Sequence, residues 1–119
     1  MRNAPAYTDG VLTLYRVGQV KVGDYPKDVL IPVDMGPIWY REMSIYDKTR
    51  IALEEAGKQV ERKVCFPQYR DVDSHYYVKI EDRFSQVFNV AHGYDRQGFP
   101  VTELTLIEPE NDLNEVEYV

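Results

Sequence analysis

The chain lacks most of the residues from which catalytic and metal sites are usually built. It has one cysteine, Cys65, and two histidines, His75 and His92, among 119 residues. A single cysteine excludes an intramolecular disulfide, and the spacing of these three residues matches no zinc-binding pattern. Cys65 lies in an apolar segment, where a small buried side chain is expected rather than a nucleophile, and no glycine-rich phosphate loop is present. The sequence therefore predicts a protein without a catalytic site, metal or cofactor.

Long apolar runs and clustered positive charge are also missing. No apolar run approaches the roughly 20 residues that a membrane-spanning helix needs, and the first seven residues lack the apolar core of a signal peptide. Synthesis in the cytoplasm without membrane contact is expected. The net charge is −6, with 14 basic residues against 20 acidic ones. Tight nucleic-acid binding is disfavoured because phosphate contacts need clustered Lys and Arg, whereas an acidic wall lets DNA pass without sticking.

Short segments of alternating apolar residues make up most of what is present. The length predicts a single domain, 1–119, with a flexible N-terminal arm at 1–10 and an acidic C-terminal tail at 110–119. Strands are predicted at 11–16, 38–46, 59–66, 75–80, 86–91 and 101–107. The fold class is therefore mainly β, a small antiparallel β-barrel of about five or six strands with one short α-helix in a connecting segment. Closure of the sheet is the economical way to remove its edges at this size.

The segments between these strands differ in character. Residues 47–57 favour a helix, with Asp47 or Thr49 as its N-cap and Gly57 just beyond its C-terminal end. The stretch 17–37 contains several glycines and prolines and is predicted to be an excursion loop. Strands 75–80 and 86–91 are predicted to pair as a hairpin, in which Val78 and Ile80 share a core face with Phe88 and Val90.

Ten tyrosines are the remaining unusual feature. Tyrosine is enriched where protein surfaces meet, because it combines a large contact area with a hydroxyl group. Alternation along 38–46 places Trp39, Met43 and Ile45 on one face of a strand and Tyr40 and Tyr46 on the other. A candidate subunit interface follows, consisting of Tyr40, Tyr46, Arg50, Leu53 and Tyr69.

The order of these segments resembles that of a known family. The likeness covers residues 10–110 and is carried by 39–42, the helical segment 47–57, the strand 60–66 with 67–70 after it, the polar turn 81–83 leading into 87–90, and the final strand 102–107. In this order and pattern the chain resembles the small head–tail joining proteins of long-tailed bacteriophages, which are also called head closure, head completion or stopper proteins.

The resemblance implies a structural role in a virion. Such proteins form a ring below the portal and adaptor that closes the DNA-filled head and offers an attachment surface to the tail. The implied partners are the portal or adaptor, tail proteins and further copies of the chain, with non-specific contact to DNA in the channel. The implied location is the head–tail interface of the virion, with assembly in the host cytoplasm.

Two other functions remain open on the sequence alone. The first is a tail-completion or minor capsid protein, which belongs to the same class of virion components. The second is a small cytosolic β-barrel that serves as a binding module or enzyme. A deep apolar pocket lined by His75, His92 or Cys65 would favour this last function.

Overall fold

Strands account for most of the structure. A computed structural model describes residues 7–33 and 35–116. Within these ranges the elements in chain order are β1 (Gly10–Val22), β2 (Tyr25–Pro32), β3 (Ile38–Met43), α1 (Asp47–Glu55), β4 (Val60–Pro67), β5 (Tyr77–Ile80), β6 (Arg83–Tyr94) and β7 (Pro100–Ile107). The mainly β fold with one short helix between two strands is confirmed, although the described strands number seven rather than five or six.

All seven strands belong to one antiparallel sheet. Its order is β2-β1-β3-β4-β7-β6-β5, and an additional pairing joins β5, at one end of this order, to β1, which is second from the other end. The strands β1, β3, β4, β7, β6 and β5 therefore pair in a ring. Strand β2 stands apart from this ring, because β1 is the one strand that it pairs with in the described part of the chain.

The prediction of a loop over 17–37 is wrong for most of its length. Strand β1 continues to Val22, and β2 returns along it after a tight turn in which Gly23 has a φ of +65° and Val22 lies opposite Tyr25. The prolines at 26 and 32 do not prevent this pairing, because an edge strand tolerates a residue that lacks an N–H. An irregular connection remains only between β2 and β3.

The paired ends of β1 and β2 extend beyond the rest of the molecule. Pairing between β1 and β5 ends at Tyr15, so residues 17–28 form a two-stranded hairpin arm. The molecule measures 58 × 35 × 22 Å, and its radius of gyration is 15.6 Å. A compact domain of this length would have a radius of gyration of about 13.5 Å. The larger value is consistent with an arm that projects from a compact body.

The interior of the ring contains the main hydrophobic core. Its buried side chains come from every ring strand and from the loop after β4, and they are Leu12, Leu14, Ile38, Tyr40, Val64, Phe66, Val72, Val78, Ile80, Val87, Leu104 and Leu106. Alternation along the strands explains this set, because the inward residues recur at every second position. Gly10 shows how tightly one corner is packed, since a Cβ there would lie 2.8 Å from the hydroxyl of Tyr40.

Helix α1 is confirmed, but it begins differently from the prediction. Its N-cap is Tyr46, which makes no side-chain capping hydrogen bond, while Asp47 in the first turn interacts favourably with the helix dipole. At the C-terminal end Gly57 has a φ of +79°. The N–H groups of Gly57 and Lys58 donate to the carbonyls of Glu54 and Leu53, respectively. These two bonds form a Schellman motif, so the predicted role of Gly57 is confirmed.

The predicted hairpin of β5 and β6 is also confirmed, with one exception in its packing. Its two-residue turn consists of Glu81 and Asp82, both with positive φ. Val78 and Ile80 are buried as predicted, but Phe88 is 40% exposed. The register shifts between Val87 and Asn89, so Phe88 is the extra residue of a β-bulge. The bulge interrupts the alternation, so Val87 is buried in place of Phe88.

The predicted acidic tail is attached to the sheet as far as the structure describes it. Leu113 packs on a second cluster, formed by Tyr15, Leu30 and Tyr77. Leu30 donates its N–H to the carbonyl of Asn114 and accepts a bond from the N–H of Val116, both at 2.8 Å. We call residues 108–116 the C-terminal strap. Residues 1–6 of the predicted arm and 117–119 of the predicted tail lie outside the described residues.

Candidate interaction surfaces

The five residues predicted at the subunit interface, which the prediction divides between two patches, differ in how accessible they are. Tyr40 is 4% exposed and Leu53 is 8% exposed, so both have little surface to offer to another molecule. Tyr46 is 77% exposed, whereas Arg50 and Tyr69 are partly exposed and line two different grooves. Of the predicted set, Tyr46, Arg50 and Tyr69 keep accessible side chains.

A different set of large apolar side chains is exposed along β3 and α1. Trp39 is 59% exposed, Tyr46 77% and Ile51 54%. Val11, 38% exposed, lies opposite Trp39 in the β1–β3 register. We call these four residues the β3–α1 surface. Alternation predicts opposite faces for Trp39 and Tyr40, with Tyr40 at the interface, whereas the structure places Tyr40 inside and Trp39 outside.

A polar groove lies beside the β3–α1 surface. It is lined by Asp9, Glu42, Met43, Ser44, Ile45, Arg50, Glu61 and Arg62. Arg62 donates to the hydroxyl of Tyr40 at 3.2 Å, and its Nε lies 3.8 Å from a carboxylate oxygen of Glu42. Glu61, the extra residue of a bulge in β4, pairs with Arg83 through Oε2 at 3.1 Å. Since most of its charged groups pair within the chain, this groove offers few free charges to a ligand.

A second groove, more apolar than the first, lies where the hairpin arm meets the body. It is lined by Arg16, Ile31, Pro32, Val33, Met35, Tyr69, Asp71 and Tyr76. We call it the arm-base groove. Burial raises the pKa of Tyr76, and the nearby Tyr69, Asp73 and Asp71 raise it further. The phenol of Tyr76 is therefore neutral at physiological pH and presents a hydrogen-bonding hydroxyl to this groove.

The hydroxyl of Thr102 holds one wall of the arm-base groove in place. Thr102 is fully buried on β7, and its Oγ1 accepts a hydrogen bond from the N–H of Tyr69 at 2.9 Å. The same hydroxyl donates to the carbonyl of Tyr69 at 3.4 Å and lies 2.9 Å from Nδ1 of His92. The Thr102 hydroxyl thus attaches the loop between β4 and β5 to β7, next to a backbone bond from the N–H of Gln68 to the carbonyl of Pro100 at 3.2 Å.

Cys65, His75 and His92 occupy three separate environments. Cys65 is fully buried on β4, and burial raises the pKa of its thiol even though Arg41, 3.8 Å from Sγ, lowers it. His75 has an 88% exposed side chain and lies 3.5 Å from Asp73. His92 contacts Thr102. None of the three lines either groove described above, so neither groove provides the apolar pocket that would favour a binding module or an enzyme.

Residues 7–33 and 35–116 contain neither a cluster of metal ligands nor a membrane-spanning helix. No group of three or more His, Cys, Asp or Glu side chains is placed to hold a metal ion there. The helix found in these ranges is too short and too polar to cross a bilayer.

No family model matches the chain, and no curated protein matches it.

Proposed function

We propose that the chain is a structural protein of a phage head–tail connector. In this role it forms a ring below the portal or adaptor, closes the DNA-filled head and provides the surface to which the tail attaches. The ring of six strands serves as a small closed barrel, with α1 carried between β3 and β4. This barrel acts as a rigid spacer, and the exposed segments around it make the contacts.

The β3–α1 surface is the observation that carries this proposal. Three large apolar side chains, Trp39, Tyr46 and Ile51, are more than half exposed within 13 consecutive residues. Exposed aromatic residues are enriched at protein interfaces, where they act as anchors. This surface supports docking against another protein better than it supports chemistry.

Charge supports the same role. A net charge of −6 leaves no strong attraction for a nucleic acid backbone. A channel through which DNA must leave a capsid benefits from this property, because DNA bound tightly to the wall would be retained. Contact with DNA in the channel is therefore expected to be weak and independent of base sequence.

Binding of the purified protein to DNA-filled heads that lack tails tests this proposal. We expect a ring at the portal vertex by electron microscopy and improved retention of DNA. The double variant Trp39→Ser/Tyr46→Ser should bind heads at least about tenfold more weakly, since each side chain is a candidate anchor. Tyr94→Ser is the matched control, because Tyr94 is similarly exposed at 71% but lies on β6.

Two results would contradict the proposal. Association with isolated tails and not with heads would favour a tail-completion protein. Association with neither particle would remove the connector role and favour a cytosolic binding module.

A further inference from the structure

The C-terminal strap is held on the sheet in the way that a separate peptide would be. It follows β7 in the chain but lies beside β2, where Leu30 and Glu115 form a parallel bridge. Leu30 donates its N–H to the carbonyl of Asn114 and accepts a bond from the N–H of Val116. Pairing of this kind along a strand edge is one of the modes by which a domain captures an extended segment of another chain.

The edge of β2 admits such a segment over a short distance. Because Leu30 directs its N–H and C=O away from β1, strand alternation directs the same groups of residues 26, 28 and 32 toward this edge as well. Residues 26 and 32 are prolines, which have no N–H to donate. Complete pairing on this edge is therefore confined to residues 28–30, and the strap occupies the part of it at Leu30.

The sheet contacts side chains of the strap as well as its backbone. Leu113 packs on the second hydrophobic cluster, to which Leu30 belongs. One carboxylate oxygen of Glu115 accepts a hydrogen bond from the hydroxyl of Tyr15 at 2.7 Å, and the other lies 3.5 Å from Nζ of Lys79. The ligand is thus an extended segment with a leucine and, two residues later, a carboxylate. We use the name strap site for the residues that make these contacts, which are Tyr15, Leu30, Tyr77 and Lys79.

The connection between the strap site and the body of the molecule is short. The body holds the chain as far as Glu110, whose N–H donates to the side-chain oxygen of Gln86 at 2.9 Å. Leu113 already lies on the strap site, so the hinge between them consists of Asn111 and Asp112, both exposed. A bond from the N–H of Leu113 to the carbonyl of Asn111 at 3.1 Å folds this hinge into a turn.

A short folded hinge favours exchange of the segment that follows it. Extension of the hinge breaks the bond across its turn, but an identical strap from a second copy can remake the contacts at the strap site. Exchange of an identical segment is for this reason a low-cost route to association, and short hinges promote it. A cleft between the strap and the side chains of Tyr77 and Phe84 shows that the strap lies on the body without sealing against it.

The length of the hinge also limits where the second copy can be. Fully extended, residues 110–113 span about 10 Å, so the accepting copy must be an immediate neighbour. The strap leaves the body near Glu110, whereas the strap site lies on β1, β2 and β5. A contact between two different patches is heterologous, and successive copies joined in this way form a ring or a filament.

We propose that the strap site of one copy binds the C-terminal strap of a neighbouring copy, whose Leu113 and Glu115 make the contacts that these residues make within a single chain. The inference rests on the proposed function, because it names the segment that links adjacent subunits of the ring. It is tested with the purified protein alone, so its failure is a separate result from a failure to bind phage heads.

Disulfide trapping between two full-length variants tests the exchange. Ile31 and Val116 follow the bridged pair of Leu30 and Glu115, and neighbouring strands lie about 4.8 Å apart, so a disulfide can join the two positions. One variant carries Ile31→Cys and the other Val116→Cys. Under mild oxidation of the mixture we expect a disulfide-linked heterodimer, because the strap of the second variant then occupies the site of the first.

Two controls calibrate the yield of heterodimer. The double variant Ile31→Cys/Val116→Cys closes the bond within one chain, which verifies that the two positions can be joined and that the fold tolerates both changes. Gln97→Cys, in the turn between β6 and β7, replaces Val116→Cys in the negative control and should give no heterodimer. Native Cys65 is fully buried and gives little background.

Hinge length and a competing peptide supply the second test. Deletion of Asp112 should raise the yield of heterodimer and shift sedimentation toward dimers and larger species, whereas two glycines inserted after Asn111 should lower the yield severalfold, because a long hinge lets the strap return to its own site. A synthetic peptide of residues 111–119 should also lower the yield. The same peptide carrying Leu113→Ala and Glu115→Gln should not.

The outcomes separate exchange from a strap that stays on its own chain. A heterodimer well above the level of the Gln97→Cys control, which responds to hinge length and to the peptide, establishes the exchange. Trapping no greater than in that control, while the double variant forms its bond within one chain, overturns the proposal.

Discussion

Removing the hydroxyl of Thr102 should loosen the wall of the arm-base groove without disturbing the shape of the core. Valine has nearly the volume of threonine but offers no hydrogen bond, so Thr102→Val leaves the N–H of Tyr69 without its acceptor. A buried polar group that loses its partner costs about 1–3 kcal/mol. We therefore expect the free energy of unfolding to fall by about 2 kcal/mol, which lowers Tm by roughly 6–10 °C in a domain of this size.

Urea denaturation and hydrogen exchange together check this expectation. The control is Thr102→Ser, which keeps the hydroxyl and removes only a methyl group, at a cost of about 1 kcal/mol. Exchange at the amide of Tyr69 should be fast in Thr102→Val and remain slow in Thr102→Ser, because only the first variant lacks the acceptor. A loss of stability alone would show that Thr102 is buried. A loss of exchange protection at the amide of Tyr69 identifies the hydrogen bond from this amide to the Thr102 hydroxyl.

The same two variants also show whether the Thr102 hydroxyl holds the loop between β4 and β5 at all. Equal unfolding midpoints for the two substitutions, with equal protection at Tyr69, would mean that packing rather than hydrogen bonding holds the loop.

Two more predictions concern the strap and the thiol. Leu113→Ala should destabilise the fold by about 1–2 kcal/mol and speed amide exchange at Leu30, because the strap covers the cluster of Tyr15, Leu30 and Tyr77; unchanged exchange at Leu30 would show that the strap does not secure the arm's base. Burial in the folded protein raises the pKa of the Cys65 thiol above its ordinary value of 9.0. The folded state therefore keeps this contribution to its free energy of unfolding below pH 9 and loses it as the pH rises through the pKa of the folded-state thiol, because the unfolded chain gives up the proton first. The stability difference between the native protein and Cys65→Ala in urea unfolding should therefore shrink between pH 8 and pH 10.5, and a constant difference would refute this linkage.

Much of the fold was predictable because its signals are local. Alternation identified six of the strands, and Gly57 marked the end of α1 through a backbone conformation that glycine readily adopts. The hairpin of β5 and β6 was predictable because a short polar turn separates two apolar segments.

Features that depend on neighbouring strands were not predictable in the same way. Prolines at 26 and 32 indicated a loop, and they can lie in a sheet because β1 is the one strand that β2 pairs with among the described residues. Alternation predicts that Phe88 lies in the core. The bulge that turns it outward depends on the pairing of β6 with β7, which alternation within one strand does not indicate. The C-terminal strap is attached to β2 by two backbone hydrogen bonds with Leu30, and no sequence pattern in this acidic segment indicates them.

The candidate interface shows most clearly how tertiary context decides function. Tyr40 and Tyr46 are separated by an even number of positions, so continuous strand alternation from one to the other would place both on one face. Strand β3 ends at Met43, however, and Tyr46 becomes the N-cap of α1 with 77% of its surface exposed. Tyr40 turns inward beside Gly10, where its hydroxyl accepts a bond from Arg62. Because Tyr40 is inside, its neighbour Trp39 must face outward. The exposed indole, rather than the buried phenol, is therefore the aromatic side chain on β3 that is accessible from outside.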